Sequence, residues 1–172
     1  MYELLEKVLK PYGPSGNEEA VAQTIRQALE GHVDSIETDV MGNLIAIKKG
    51  TNPNGKKVMF SAHMDHIGFI VTGFEKEGFL RVTNVGGVSP DSNQFRHVTF
   101  GNGVQGVVVS QPLKPGENRA MKHLFIDIGA QDRAEAEKMV KLGDVAVYAP
   151  NVVRLGQYRV ASPAMDDRSA CA

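Results

Sequence analysis

The sequence predicts an α/β segment interrupted by a small, mainly antiparallel β domain. Three observations carry this expectation. Apolar residues at helical spacing crowd the start of the chain, around Leu4–Leu9 and Val21–Leu29. Short strand-like runs punctuated by glycine then fill the region from Ile67 to about Val160. Between the two lies Lys57-Val58-Met59-Phe60-Ser61-Ala62-His63, apolar at its centre as a strand inside a sheet would be.

The first helix places Leu4, Leu5, Val8 and Leu9 on one side, and Pro11 and Gly13 end it. Ser15 with Glu18 three residues later is a capping-box pattern. Val21, Ile25, Ala28 and Leu29 then form a second helical face, and Gly31 sits where that helix would stop. Asn43–Lys48 reads as a strand, Gly50–Gly55 as a dense turn, and Lys57–His63 as a second strand pairing antiparallel with the first.

The barrel or sandwich strands are expected at Gly68–Gly73, Phe79–Val85, His97–Phe100, Gly106–Ser110, Leu124–Ile128, Asp144–Tyr148 and Tyr158–Ala161. One helix interrupts them. Asp132 and Glu135 cap it, Ala136, Met139 and Val140 supply its apolar face, and Gly143 ends it. The domain division is therefore 1–67 with 161–172 for the α/β part and 68–160 for the inserted β domain.

Composition narrows the function. The 172 residues suffice for one ordinary domain or two small ones, burying roughly 70% of the unfolded surface. Lys and Arg total 19 against 20 Asp and Glu, so the basic excess of a nucleic-acid-binding protein is missing. No apolar run approaches the roughly 18 residues of a membrane span. The opening Met1-Tyr2-Glu3-Leu4-Leu5-Glu6 lacks the basic flank and apolar stretch of a signal peptide. Cys171 is the single cysteine, which rules out an internal disulfide and fits a reducing, cytoplasmic setting.

Ser61-Ala62-His63-Met64-Asp65-His66-Ile67-Gly68 carries the most chemistry. On a strand His63 and Asp65 share a face. Neutral imidazole is a good metal ligand, and a carboxylate two residues on can orient the ring. His-x-Asp also arises by chance. Met165-Asp166-Asp167-Arg168 is a second candidate, although in isolation it reads first as a solvated helix start. Gly101-Asn102-Gly103-Val104-Gln105-Gly106 matches a dinucleotide fingerprint but leads into Val107-Val108-Val109, a strand and not a helix, so the match is rejected. His32, His97 and His123 lack sequence partners, and Cys171 lacks the histidine arrangement of a nucleophile.

The order His63-Met64-Asp65, an all-β insert, then Met165-Asp166-Asp167-Arg168 resembles the co-catalytic metallo-aminopeptidase family of glutamyl and tetrahedral aminopeptidases. Tyr12–Glu18, Asp39–Leu44, Leu124–Ala130 and Lys141–Val145 agree along nearly the whole chain. The resemblance implies a zinc-peptidase-like α/β catalytic domain, incomplete here, carrying an inserted antiparallel β-barrel. It implies His63 as a terminal ligand of one metal, Asp166 as the carboxylate bridging two, and Asp65 as the catalytic-site residue that orients His63. The cofactors would be two divalent ions, zinc, cobalt or manganese. The partners would be a peptide substrate and further copies of the chain in a homo-oligomer, with no nucleic acid and no membrane. His66 departs from the pattern, where Glu is expected.

The family's Glu-Glu pair, further Asp and late His are all expected C-terminal to Arg168. The chain therefore reads as an N-terminal fragment or a shortened relative, and as inactive by itself. His63 and Asp166 are nonetheless expected to converge across the insert. Removal of N-terminal residues from peptides is the leading activity. Carboxypeptidase-like and deacylase chemistry is disfavoured, because those folds carry their extra domain later. The rival class is a non-catalytic product whose β domain serves association.

Overall fold

The computed structural model describes residues 2–172, which divide into two compact units. The first runs through Asp65 and resumes at Asn151–Ala172, and the second is His66–Pro150. In chain order the elements begin with helices α1 (Tyr2–Leu9) and α2 (Glu19–Leu29) and strands β1 (Ser35–Thr38) and β2 (Leu44–Ile47). Strands β3 (Gly68–Phe74), β4 (Leu80–Val85), β5 (His97–Phe100), β6 (Gln105–Ser110) and β7 (Leu124–Asp127) follow. Then come helix α3 (Arg133–Met139), strands β8 (Val145–Tyr148), β9 (Val153–Leu155) and β10 (Arg159–Ala161), and the short helical segment α4 (Met165–Arg168). Among the described residues no helix is long and apolar enough to cross a membrane.

In the first unit α1 and α2 form where the apolar spacing puts them. Val8, Leu9, Val21 and Ile25 are buried together with Ala164, which precedes α4. The expected capping box does not form. Glu18 precedes α2 without a side-chain cap and instead accepts a hydrogen bond from the Gly16 amide at 2.7 Å. Ser15 is left free for another partner, described below.

The expected pairing of Asn43–Lys48 with Lys57–His63 is corrected. Strand β2 pairs antiparallel with β1, in register from Ser35↔Ile47 to Thr38↔Leu44. The cause is a tight turn: the Asp39 carboxylate accepts from the Met41 and Asn43 amides, each at 2.9 Å, while Gly42 takes φ 87°. Aspartate bonding its own following backbone makes such a turn inexpensive. Lys57–His63 is not a strand. Val58, Met59 and Phe60 stand 75%, 88% and 93% exposed, so its apolar pattern is unspent among the described residues.

The second unit is a closed six-stranded barrel in the order β3-β4-β7-β6-β5-β8, antiparallel at every junction. Alternate residues fill its interior: Phe69, Leu80, Val98, Val108, Leu124 and Ile126 are all fully buried. Each such side chain contributes about 1.5–3 kcal/mol by leaving water. Helix α3 packs Ala136 onto this core, with the Asp132 carboxylate accepting from the Glu135 amide at 2.9 Å as the capping pattern requires. The rejected glycine motif is the β5–β6 hairpin. Gly103 turns at φ 89°, and a Cβ on Gly106 would lie 2.6 Å from the Ile126 side chain, so only glycine lets β6 approach β7.

Tyr158–Ala161 is not a barrel strand. Its residues 159–161 pair as β10 with β9 in a two-stranded ladder that belongs to the first unit. The barrel unit accordingly ends at Pro150, whose missing N–H cannot extend a ladder past β8, and not near residue 160.

Two substitutions separate the buried apolar pattern from the exposed one. Ile126→Ala is expected to lower unfolding free energy by about 2–5 kcal/mol. Phe60→Lys should move it by less than ~0.5 kcal/mol while reducing self-association in solution. Denaturant titration reads the first difference and light scattering the second.

Candidate functional site

Three segments distant in sequence meet in the first unit: the loop 11–18, the stretch His63–Asp65 and the turn at α4. The connection is Arg168, which is fully buried. Its Nε donates to the Met64 carbonyl at 2.6 Å, Nη1 to the Pro11 carbonyl at 2.7 Å, and Nη2 to the Gly13 carbonyl at 2.9 Å. Burial pulls its pKa from 12.5 down to about 10, partly offset by Cys171, Asp65 and Glu18, so it stays charged at neutral pH. Gly13 is required by this contact. A Cβ there would fall 2.6 Å from both Arg168 Nη2 and the buried side chain of Val21.

With Met64 held by its carbonyl, the flanking His63 and Asp65 are fixed as a pair. His63 Nδ1 lies 3.1 Å from the Asp65 carboxylate Oδ1 and 3.1 Å from the Asp65 carbonyl. Both neighbours only accept, so Nδ1 carries the proton. His63 Nε2 lies 3.1 Å from Asp166 Oδ1, although 103 positions separate the two residues. The other Asp65 oxygen, Oδ2, accepts from the Ser15 hydroxyl at 2.5 Å. Asp166 sits in a kinked, non-helical part of α4, with φ −94° and ψ 108°, and its side chain is 96% exposed.

The electrostatics follow from these contacts. The Ser15 hydrogen bond, ahead of the opposing effect of burial and the help of His63, holds the Asp65 carboxyl below its ordinary 3.8. For His63, burial pulls downward, but the Asp65 carbonyl and the Asp166 and Asp65 carboxylates together outweigh it and raise the imidazole above 6.5. An imidazole lone pair and a carboxylate oxygen at 3.1 Å repel unless a cation lies between them. A proton fills that role in the protein alone, and a divalent metal is the other cation suited to imidazole and carboxylate donors. The pair therefore fits two positions of a divalent-metal shell. Among the described residues no group of three metal-capable side chains gathers.

The sequence-derived residues are thus placed as follows. His63, Asp65 and Asp166 come together. The Asp167 carbonyl accepts from the Ala170 amide at 2.9 Å, closing the turn. Cys171 is partly buried, its thiol pushed up by burial and turned towards the His63 and Asp167 carbonyls at 3.7 and 3.9 Å. His66 is 6% exposed and begins the second unit. His123 is satisfied, its Nδ1 accepting from the Ala120 amide at 3.0 Å and its Nε2 lying 3.2 Å from Glu117. Two residues were missed. Both lie in segments that carry the family resemblance, but sequence reasoning assigns Ser15 only a helix-cap role and Arg168 none of its own. The one available signal was glycine at position 13 beside a chemistry-bearing motif, and it does not point to Arg168.

The chain belongs to the M42 glutamyl aminopeptidase family, whose model matches residues 42–172. A lysyl aminopeptidase of Pyrococcus furiosus is 35% identical over 97% of the chain, and a relative from Acetivibrio thermocellus, provisionally named an aminopeptidase, is 45% identical over 100%. Among solved structures, an aminopeptidase from the archaeon Desulfurococcus kamchatkensis superposes with TM-score 0.87 at 36% identity, covering 97% of this chain and 48% of that one. The Pyrococcus horikoshii TET1 peptidase, described as assembling into a tetrahedron or a large octahedral shell, gives TM-score 0.81 at 32% identity, covering 98% of this chain and 52% of that one. The chain spans about half the length of the curated relatives it matches, 51% for each of the two named.

Two tests address this geometry. Gly13→Ala should cost about 1–3 kcal/mol of stability in thermal or denaturant unfolding, since it overpacks Arg168 against Val21. In the metal-free chain His63 should titrate above 6.5 by NMR, and Asp166→Asn should lower that value. The raised value means that the pairing favours the fold below pH 6.5 and that this support fades as pH rises through the folded-state pKa.

Proposed function

We propose that the chain forms part of a metallo-aminopeptidase, contributing one imidazole and one bridging carboxylate to a two-metal centre that removes N-terminal residues from peptides. The single observation that carries this reading is the approach of His63 Nε2 to Asp166 Oδ1 at 3.1 Å, which with Nδ1 protonated is a meeting of two acceptors unless a proton or a metal ion joins them. The family and the relatives named as aminopeptidases supply the reaction class.

His63 and Asp166 would hold the metal, which could be zinc, cobalt or manganese, because each accepts nitrogen and oxygen donors. The chemistry such ions supply is Lewis acidity, which polarises the scissile carbonyl and brings water's pKa from ~15.7 towards ~7. This chain's residues do the holding. Asp65 keeps the His63 proton on Nδ1, so that Nε2 presents its lone pair, and makes the ring more basic. Asp166, largely exposed, leaves an oxygen for a second ion. Arg168 keeps both motifs in place without touching either donor atom. Among the described residues no group of three or more metal-capable side chains gathers to complete the shell.

A homo-oligomer and a cytoplasmic setting belong to the same reading. The first is suggested by the assemblies described for the TET1 peptidase and by the exposed apolar run Val58–Phe60. The second rests on the lone Cys171.

Hydrolysis of aminoacyl anilides, with elemental analysis for metal, tests the proposal. The 172-residue chain alone should hold no stoichiometric zinc and show no turnover, because two donors fall short of the three or four protein ligands zinc sites use. Expressed with its complete reading frame, the protein should turn over, and His63→Ala or Asp166→Ala should abolish it. Wild-type turnover in His63→Ala would overturn the assignment. Inactivity of the full frame with all three metals would favour an association role instead.

A further inference from the structure

Asp65 has two carboxylate oxygens, and the structure employs them differently. Oδ1 faces His63 Nδ1 at 3.1 Å, and Oδ2 takes the Ser15 hydroxyl at 2.5 Å. A carboxylate held through one oxygen only can swing about its terminal torsion, which is broad and roughly two-fold. Anchored through both, it presents Oδ1 in one direction. Ser15 is itself well placed to anchor. It lies on the loop whose Pro11 and Gly13 carbonyls are bonded to the buried Arg168, and the Gly16 amide is tied to Glu18 at 2.7 Å. Ser15 is exposed and serves no helix cap, so neither packing nor capping explains its contact with Asp65.

We propose that Ser15 is a positioning residue for the His63 imidazole, acting through Asp65 to keep Nδ1 protonated and Nε2 aimed at the site shared with Asp166. The chain Ser15–Asp65–His63 then runs from a rigid backbone loop to a donor atom, each member fixing the next. This rests on the reading of His63 and Asp166 as metal donors. The Ser15 hydroxyl donates and gains nothing chemically. Its effect is a narrower range of ring orientations and hence tighter binding of a cation.

The experiment titrates zinc into the 172-residue chain and follows the His63 Nε2 resonance with 15N-labelled histidine, a readout that reaches weak, two-donor binding. Ser15→Ala should weaken zinc binding at His63 severalfold, less than the roughly 10–100-fold that loss of a direct partner such as Asp65 would cost, because Ser15 acts one hydrogen bond further out. It should also hasten solvent exchange of the Nδ1 proton. Ser15→Thr, which keeps a hydroxyl, should restore both. In an Asp65→Asn background Ser15→Ala should have no further effect, because the two act in series. Zinc affinity unchanged in Ser15→Ala, or an equal loss in the Asp65→Asn background, overturns the proposal. A fall in melting temperature with zinc affinity intact overturns it too, since that marks a purely structural serine. Asp166→Ala separates the underlying reading: if zinc binds His63 equally well without that carboxylate, the shared site is refuted, whatever Ser15 does.

Discussion

A guanidinium taken out of water must find acceptors for its N–H groups or destabilise the fold by several kcal/mol. Arg168 finds them in three backbone carbonyls, those of Pro11, Gly13 and Met64. Among the described residues its hydrogen bonds go to carbonyls and not to carboxylates, and Asp65 and Asp166 take other partners. Carbonyl acceptors also differ from carboxylates in what they fix. A carboxylate can follow its partner on a flexible side chain, whereas a carbonyl brings the main chain with it. The arginine thus fixes the backbone of the loop before α2, the backbone between His63 and Asp65, and its own turn two residues after Asp166. The arrangement of the donors depends on that one buried cation.

What those backbones present is a graded chain of acidity. The hydroxyl of Ser15 lowers Asp65, Asp65 holds a proton on His63, and His63 turns its other nitrogen to Asp166. Each link removes one ambiguity: which carboxylate oxygen, which tautomer, which direction. The last link is the unstable one. Two acceptors at 3.1 Å are tolerable only with a cation between them, and the raised pKa of His63 is the proton's answer to that demand. On the proposed reading a metal would compete for the same position, so acidity would oppose its loading.

Much of this was legible in the sequence, and the failures have physical causes. The barrel was legible because period-2 burial and glycine turns are local: β5 is found at His97–Phe100 as expected, and β3, β4, β6, β7 and β8 within a residue of their expected ends. His63, Asp65 and Asp166 were legible through family resemblance, since 103 intervening positions carry no local signal that the two ends meet. Ser15 and Arg168 were not, because the partner of a polar residue is a tertiary fact. Ser15 satisfies a capping pattern on paper, yet its hydroxyl bonds Asp65, fifty residues on. Arg168 looks solvated in a run of charges, and only the fold shows three carbonyls converging on it.

The mispairing of β2 carries a different lesson. Strand propensity states that a segment suits a sheet, not which neighbour it takes. The sequence offers Lys57–His63 as the partner of Asn43–Lys48, but the upstream Ser35–Thr38 takes it because the Asp39–Asn43 turn closes with its own side-chain hydrogen bonds and little loop entropy. Lys57–His63 keeps the apolar sequence of a buried strand while Phe60 stands 93% exposed. An unspent pattern of that kind is a demand for a partner. It lies immediately before His63, in a chain that spans about half the length of its relatives. Phe60 stands only three positions before His63, so a surface that covers this apolar run lies close in sequence to the imidazole as well.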